Sequence, residues 1–285
     1  ETTDGGMTIS SSFKVMDENT KEDYDAGFTL AFTDGSKLDV LNAGNASGSH
    51  AVSVPGSAGA EGVANTSTNM APTGLDFMTG STALGVEYHT ASDFFADGLS
   101  MSFSASTDTG AAAGQTYRAD SHIAVGATYV TDLGDTAVTI GAGYSSVDGS
   151  KVNTAVNDDT GGIHVGLSAV TGDLTVAVGF ADGSKAGVSD NGSDEYTAEV
   201  VKAGVKYVTG DLTFNVGIAS GEADDHVIGG SDGADDSQDV TSASVSYAVA
   251  SGVTAILGYT STDSSDEGLS TDDGSAWYIG ANMSF

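Results

Sequence analysis

The sequence predicts an all-β protein, a transmembrane antiparallel up-and-down β-barrel in which fourteen strands can be counted. Three observations carry that expectation. A strand, tight turn, strand, long loop unit repeats along the chain; apolar and small residues alternate within each strand; and aromatic residues gather at both ends of the apolar faces.

Composition sets the bounds. The 285 residues include 40 acidic and 8 basic side chains, a formal net charge of −32. Neutralising phosphates needs clustered Lys and Arg, so nucleic acid is excluded as a partner. The absence of cysteine removes disulfides, thiolate metal sites and a cysteine nucleophile. The 40 glycines are about twice the ordinary share. No segment holds the roughly 20 apolar residues that a membrane helix needs. The chain opens on the polar stretch ETTDGG, so an export signal is expected to have been removed or to lie further upstream.

The repeat is clearest from 121 onward. LGDTAVTIGAGY (133–144), TGDLTVAVGFADG (171–183) and TGDLTFNVGIASG (209–221) start 38 residues apart, and ASGVTAILGYTS (250–261) follows after 41. A propeller blade has a similar period but packs four strands into it; here each period holds two. Extending the unit gives strands at 7–16, 26–33 and 36–42, the last two joined by Asp34-Gly35, then at 82–90 and 98–106. Four hairpins follow: 121–131 with 136–146 around Leu133-Gly134, 162–170 with 173–181 around Gly172-Asp173, 196–208 with 211–220 around Gly210-Asp211, and 240–249 with 252–261 around Ser251-Gly252. The last strand is read at 275–285. The long connections 17–25, 107–120, 147–161, 182–195, 221–239 and 262–274 all fall on one side, and both chain ends fall on the other.

Alternation separates two faces on each strand. Counting back from the C-terminus puts Phe285, Met283, Ala281, Ile279 and Trp277 on one face and Ser284, Asn282, Gly280 and Tyr278 on the other. Likewise Leu174, Val176, Val178 and Phe180 oppose Thr175, Ala177 and Gly179, and Leu212, Phe214, Val216 and Ile218 oppose Thr213, Asn215 and Gly217. In a soluble sandwich the second face would meet water and carry Lys, Glu and Arg; these faces are Gly, Ser, Thr and Ala. Small residues cannot fill a wide barrel, so they are expected to line an aqueous lumen while the apolar face meets lipid. Tyr129, Tyr207, Tyr247 and Phe285 fall near the short turns, whereas Tyr144, Phe180, Tyr259 and Trp277 fall near the other rim. Two aromatic girdles suit the two headgroup levels of a bilayer.

On these residues the chain resembles the general diffusion porins of Gram-negative outer membranes, especially the alphaproteobacterial type. The pattern covers essentially the whole chain; the specific similarity lies in TTDGGMTIS, in DAGFTLAFTDGSKLDVLNAG with the Gly/Ala/Ser stretch after it, and in the terminal strand ending in Phe285. The resemblance implies localisation in the outer membrane among lipid and lipopolysaccharide, a homotrimer, sixteen strands, and a third extracellular loop folded inward as a constriction. Residues 43–81 look like that loop. Either two N-terminal strands lie outside this sequence or the barrel closes with fourteen; both counts are even.

The few basic residues are placed individually. Lys14, Lys202 and Lys206 are expected to point inward with His122 and His164 and to line the pore. Arg118 precedes a strand, and Lys21, Lys151 and Lys185 fall in loops. Glu61 and Asp76 in the 43–81 segment are the candidate opposing carboxylates at the constriction. A single Arg, where the family shows a cluster, leaves the family's ion selectivity without support here; the acidic vestibule points to weak cation preference. Asp224, Asp225, Asp232, Asp235 and Asp236 form an oxygen-rich loop of the kind that holds Ca²⁺, though neither EF-hand nor nonapeptide spacing is present. No cofactor is required by this reading.

Catalysis is not expected: the five His are dispersed, no HExxH or GxSxG occurs, and the carboxylate pairs are adjacent loop acids. The expected function is passive diffusion of ions and small hydrophilic solutes. The alternative is a secreted or surface-attached β-rich adhesin or structural protein whose acidic loops bind Ca²⁺.

Overall fold

Alternating side chains with short Gly-containing turns fold into a single sheet. The computed structural model describes residues 2–3, 5–12, 27–41, 45–56, 85–106, 117–151, 160–186, 195–223, 236–265 and 274–284. The strands are β1 (Thr8–Ser12), β2 (Gly27–Ala31), β3 (Lys37–Val40), β4 (Gly85–His89), β5 (Leu99–Ser106), β6 (Tyr117–Leu133), β7 (Thr136–Lys151), β8 (Thr160–Thr171), β9 (Leu174–Ala186), β10 (Glu195–Thr209), β11 (Leu212–Ala223), β12 (Asp236–Ala250), β13 (Val253–Ser265) and β14 (Gly274–Met283). One 3₁₀ turn, Gly48–His50, lies between β3 and β4. Each strand pairs antiparallel with its sequence neighbours, and β1 and β14 are the edges among the described residues.

The tight turns fall where the glycines require them. Gly172 and Gly210 sit at φ 55° and 58°, left-handed backbone that a side chain disfavours. At Asp34 the Ser36 hydroxyl and amide both donate to the carboxylate, holding its pKa below the ordinary aspartate value.

On the long-loop side the ladder runs further than the sequence suggests. Residues 117–119, 147–151, 182–186, 221–223, 236–239 and 262–265, expected in loops, are paired strand, with Asp120 left out of the ladder at a bulge, so Arg118, Lys151 and Lys185 lie in strands. Their Gly, Ser and Asp residues have low β propensity. Cross-strand pairing nonetheless satisfies every second backbone group, and it continues wherever the neighbouring strand continues.

Among the described residues no second sheet covers the apolar face. Val176, Val178 and Val216 are 41%, 46% and 51% exposed, and Trp277 and Ile279 on β14 reach 73% and 83%. A sandwich would bury them. The aromatics of this face lie four to six residues apart along paired strands: Tyr129 opposes Ile140, four residues from Tyr144, and Phe180 opposes Val201, six from Tyr207. At about 3.4 Å per residue the two rows stand roughly 14–20 Å apart along the strands.

The other face is occupied by a piece of the chain itself. Ala46 N donates to Ser104 Oγ on β5 at 3.1 Å, and ten residues later Gly56 O accepts from Ser242 Oγ on β12. Ten residues that include a 3₁₀ turn span about 30 Å at most. The arc across the seven strand-to-strand steps from β5 to β12 is at least about 34 Å before any tilt. The segment is therefore a chord, and the sheet curls around it.

Candidate functional site

The chord lies on a floor of glycines. A Cβ at Gly126 on β6 would overlap the carbonyl oxygen of Ala46 and sit 2.5 Å from the His50 ring; one at Gly204 on β10 would overlap the carbonyl oxygen of Pro55. Inward glycines are thus demanded by close approach of a second backbone. The inward face is less uniformly small and polar than the alternation suggests: Val200, Val240 and Ile256 point inward and are buried. A cavity of about 300 Å³ remains between the chord and β8–β10, lined by Ser47, Val52, Val54, His164, Val200 and Lys202.

His50 fastens the chord to the wall. Its Nδ1 is 2.7 Å from Thr128 Oγ1 and its Nε2 2.8 Å from Ser102 Oγ. Burial lowers its pKa below 6.5, and the charges of His89 and His164 lower it further. The same Ser102 Oγ lies 2.8 Å from Nδ1 of His89, so one hydroxyl links a chord imidazole to a wall imidazole.

The strand register gathers a compact ionisable group on β3 and β4. Asp39 opposes Glu87, and Lys37 opposes His89. His89 Nε2 stands 3.2 Å from Asp39 Oδ2 and 3.5 Å from Glu87 Oε1, with Lys37 Nζ 3.2 Å from the same Asp39 oxygen. One ligand atom from each of Asp39, Glu87 and His89 falls within 4.8 Å of the others. Thr29 Oγ1 donates to Asp39 Oδ1, and Ser49 Oγ in the chord donates to Glu87 Oε1 at 3.3 Å. Glu87 is 2% exposed. Parity along LDV and GVEYH places Asp39, Glu87 and His89 on the inward face and was the signal available in the sequence; their meeting depends on a β3–β4 register that spacing alone does not give.

The residues expected at the pore fall as follows. Lys202 and His164 border the cavity beside the chord, and His164 Nε2 is 2.8 Å from the Ser47 carbonyl oxygen. Lys206 borders a wider opening of about 650 Å³ with Pro55, Asn215 and Ser246. His122 is on the same inward face, 1% exposed. Lys202 and Lys206 are not brought together with Asp39 and Glu87: β10 is seven strands from β3. Lys14, Glu61, Asp76, Asp224, Asp225, Asp232 and Asp235 lie outside the described residues, as does most of 43–81 and Phe285; Asp236 opens β12.

On the outer face, beyond the aromatic row that lies away from the short turns, acids stand directly opposite one another: Asp182 with Glu199, Glu199 with Glu222, and Asp239 with Asp263. All five are exposed.

No protein-family model matches the chain, and no curated protein matches it. Solved structures do. A porin refined at 1.8 Å superposes with a TM-score of 0.63 at 20% identity, over 100% of this chain and 89% of that one. The anion-selective porin of Comamonas acidovorans gives 0.56 at 14%, over 90% and 75%. The trimer form of OmpT, an outer membrane protein of Vibrio cholerae, gives 0.55 at 12%, over 89% and 80%. What these proteins share with the chain is the architecture: one antiparallel up-and-down sheet rolled into a β-barrel.

Proposed function

We propose that the protein is an outer-membrane porin, a passive diffusion channel for ions and small hydrophilic solutes. One observation carries the reading: a single rolled sheet leaves Val, Ile, Leu and Trp exposed on its outside while Gly, Ser, Thr, Lys and His face a space partly filled by the chain's own inward segment. Only hydrocarbon makes such an exterior stable, and the polar interior then needs water. The architecture shared with porins supports the same reading.

The chord, as part of 43–81, narrows the lumen in this proposal, and selectivity arises from charges around it. Asp39 and Glu87 on β3–β4 and Lys202 and Lys206 on β10 lie half the sheet apart, which sets a field across the opening. With 40 acidic residues against 8 basic ones, the vestibule attracts cations, so weak cation preference is proposed. A homotrimer is proposed on the strength of the trimeric neighbour, with lipopolysaccharide and lipid around it and Ca²⁺ at the acidic loops.

The test is reconstitution in planar bilayers with a salt gradient. Stepwise conductance in groups of three, with a reversal potential on the cation side, supports the proposal. A protein that stays soluble without detergent and gives no conductance refutes it and favours the Ca²⁺-dependent adhesin.

A further inference from the structure

We propose that Asp39, Glu87 and His89 form a binding site for one divalent first-row transition ion of the zinc class on the inward wall of the barrel. Three features of the geometry point to a metal.

The first is spacing. Ligands at about 2.0–2.1 Å around a tetrahedral zinc stand roughly 3.3 Å from each other. His89 Nε2 lies 3.2 Å from Asp39 Oδ2 and 3.5 Å from Glu87 Oε1. Two edges of the tetrahedron are already in place, and the third, between the carboxylates, is no longer than 4.8 Å.

The second is the imidazole. His89 Nε2 is enclosed, yet it makes no hydrogen bond of acceptable geometry. Its other nitrogen is held by Ser102 Oγ at 2.8 Å. A metal on Nε2 requires the ring proton on Nδ1. Ser102 Oγ then accepts that proton and donates its own to His50 Nε2, also 2.8 Å away. Both partners of the serine stand where this arrangement needs them, and such outer contacts orient metal-bound imidazoles.

The third is the donor chemistry. Two carboxylates with one imidazole suit Zn²⁺, Co²⁺ or Ni²⁺; Ca²⁺ and Mg²⁺ take oxygen almost exclusively and keep more ligands. The carboxylates are braced by Thr29 and Ser49, so each has an oxygen held toward the site. Lys37 occupies Asp39 Oδ2 at 3.2 Å without the ion, but its side chain is 46% exposed and swings away at little cost. The site uses none of the acidic residues at 224–236. It also does not depend on conduction.

The experiment is equilibrium binding of Co²⁺ to the folded, detergent-solubilised full chain, read by visible absorption in the presence of millimolar Mg²⁺ and 0.3 M salt, added to compete with binding to surface carboxylates. One equivalent with an intense tetrahedral band, displaced by Zn²⁺, is expected. Replacing the imidazole in His89→Gln is expected to abolish the band and weaken binding at least about tenfold. Asp39→Asn should do the same. Lys37→Met should tighten binding several-fold, because it frees the Asp39 oxygen. Folding of each variant is checked by heat-dependent mobility in gels and by far-UV circular dichroism. Wild-type binding retained in both folded His89→Gln and Asp39→Asn assigns the ion to loop carboxylates and overturns the proposal. So does the absence of a tetrahedral band in the wild type. If a ligand variant does not fold, the Lys37→Met result decides: unchanged affinity overturns the site.

Discussion

Replacing Gly126 by alanine should lift the chord from the wall. The added methyl would overlap the Ala46 carbonyl oxygen and stand 2.5 Å and 3.0 Å from Cδ2 and Cγ of His50. Carbon contacts relax near 3.5 Å, so the ring must retreat by about 1 Å. Its hydrogen bonds of 2.7 Å to Thr128 and 2.8 Å to Ser102 then lengthen beyond useful range. Two such bonds contribute about 0.5–1.5 kcal/mol each. With the displaced carbonyl included, docking weakens by about 2–3 kcal/mol, a factor of roughly 30 to 150. Hydrogen exchange read by mass spectrometry should report that factor at the amides of Ser49, His50 and Ala51, which bond within the turn. Away from the chord a Gly-to-Ala change in a strand is neutral or mildly stabilising. Gly161→Ala is the control, since its Cβ would meet nothing nearer than Ser145 O at 3.5 Å. Unchanged exchange in Gly126→Ala, or an equal change in Gly161→Ala, refutes the steric argument.

Further outcomes follow from the same structure. In lipid vesicles Val216→Arg on the outer face should lower unfolding stability by about 2–4 kcal/mol, while Thr213→Arg, directed inward on the same strand, costs far less; equal costs would contradict a lipid-facing exterior. His50 has a folded pKa below its ordinary 6.5 because burial and two neighbouring imidazoles oppose its charge. Its contribution to chord docking is therefore complete above pH 6.5 and is lost as pH falls from there toward the folded pKa. Intrinsic-rate-corrected exchange of residues 48–51 should rise between pH 7.5 and 5, and His50→Gln should remove the dependence. Glu199 faces Asp182 on one side and Glu222 on the other. Like charges opposed across strands destabilise, so Glu199→Gln should add a few tenths of a kcal/mol, an effect that fades at high salt; thermal denaturation at two ionic strengths checks it.

Much of the fold is legible in the alternation because register and face have the same period of two. Leu174, Val176 and Val178 announce their outer face, and Gly172 and Gly210 announce turns that need left-handed backbone. Ile256 shows where this stops: parity with Leu257 and Tyr259 puts it on the inward face, where small residues are expected, and the structure nonetheless buries a large apolar side chain there, paired with Ser246 and Gly280. Strand length is hidden for a related reason, since the Gly and Asp of 147–151 or 182–186 are held by neighbours rather than by their own preference. The site is less legible still. Lys202 and His164 can be assigned a face from their own strands, but Asp39 and Glu87 are 48 positions apart, and His50 is linked to them through Ser102 and His89. Such contacts belong to register and to a segment crossing the barrel, neither of which leaves a local trace.

A strut pinned at both ends does mechanical service beyond narrowing a hole. Ser104 grips one terminus and Ser242 the other, so the distance between β5 and β12 is governed by the reach of the peptide stretched across it as well as by how many strands make up the circumference. Squashing the cylinder along that line buckles the strut, and widening it pulls the serines loose. Inserting a residue or two between Ala46 and Gly56 should therefore let β5 and β12 stand further apart, and deleting one should draw them together, with no change to any wall strand.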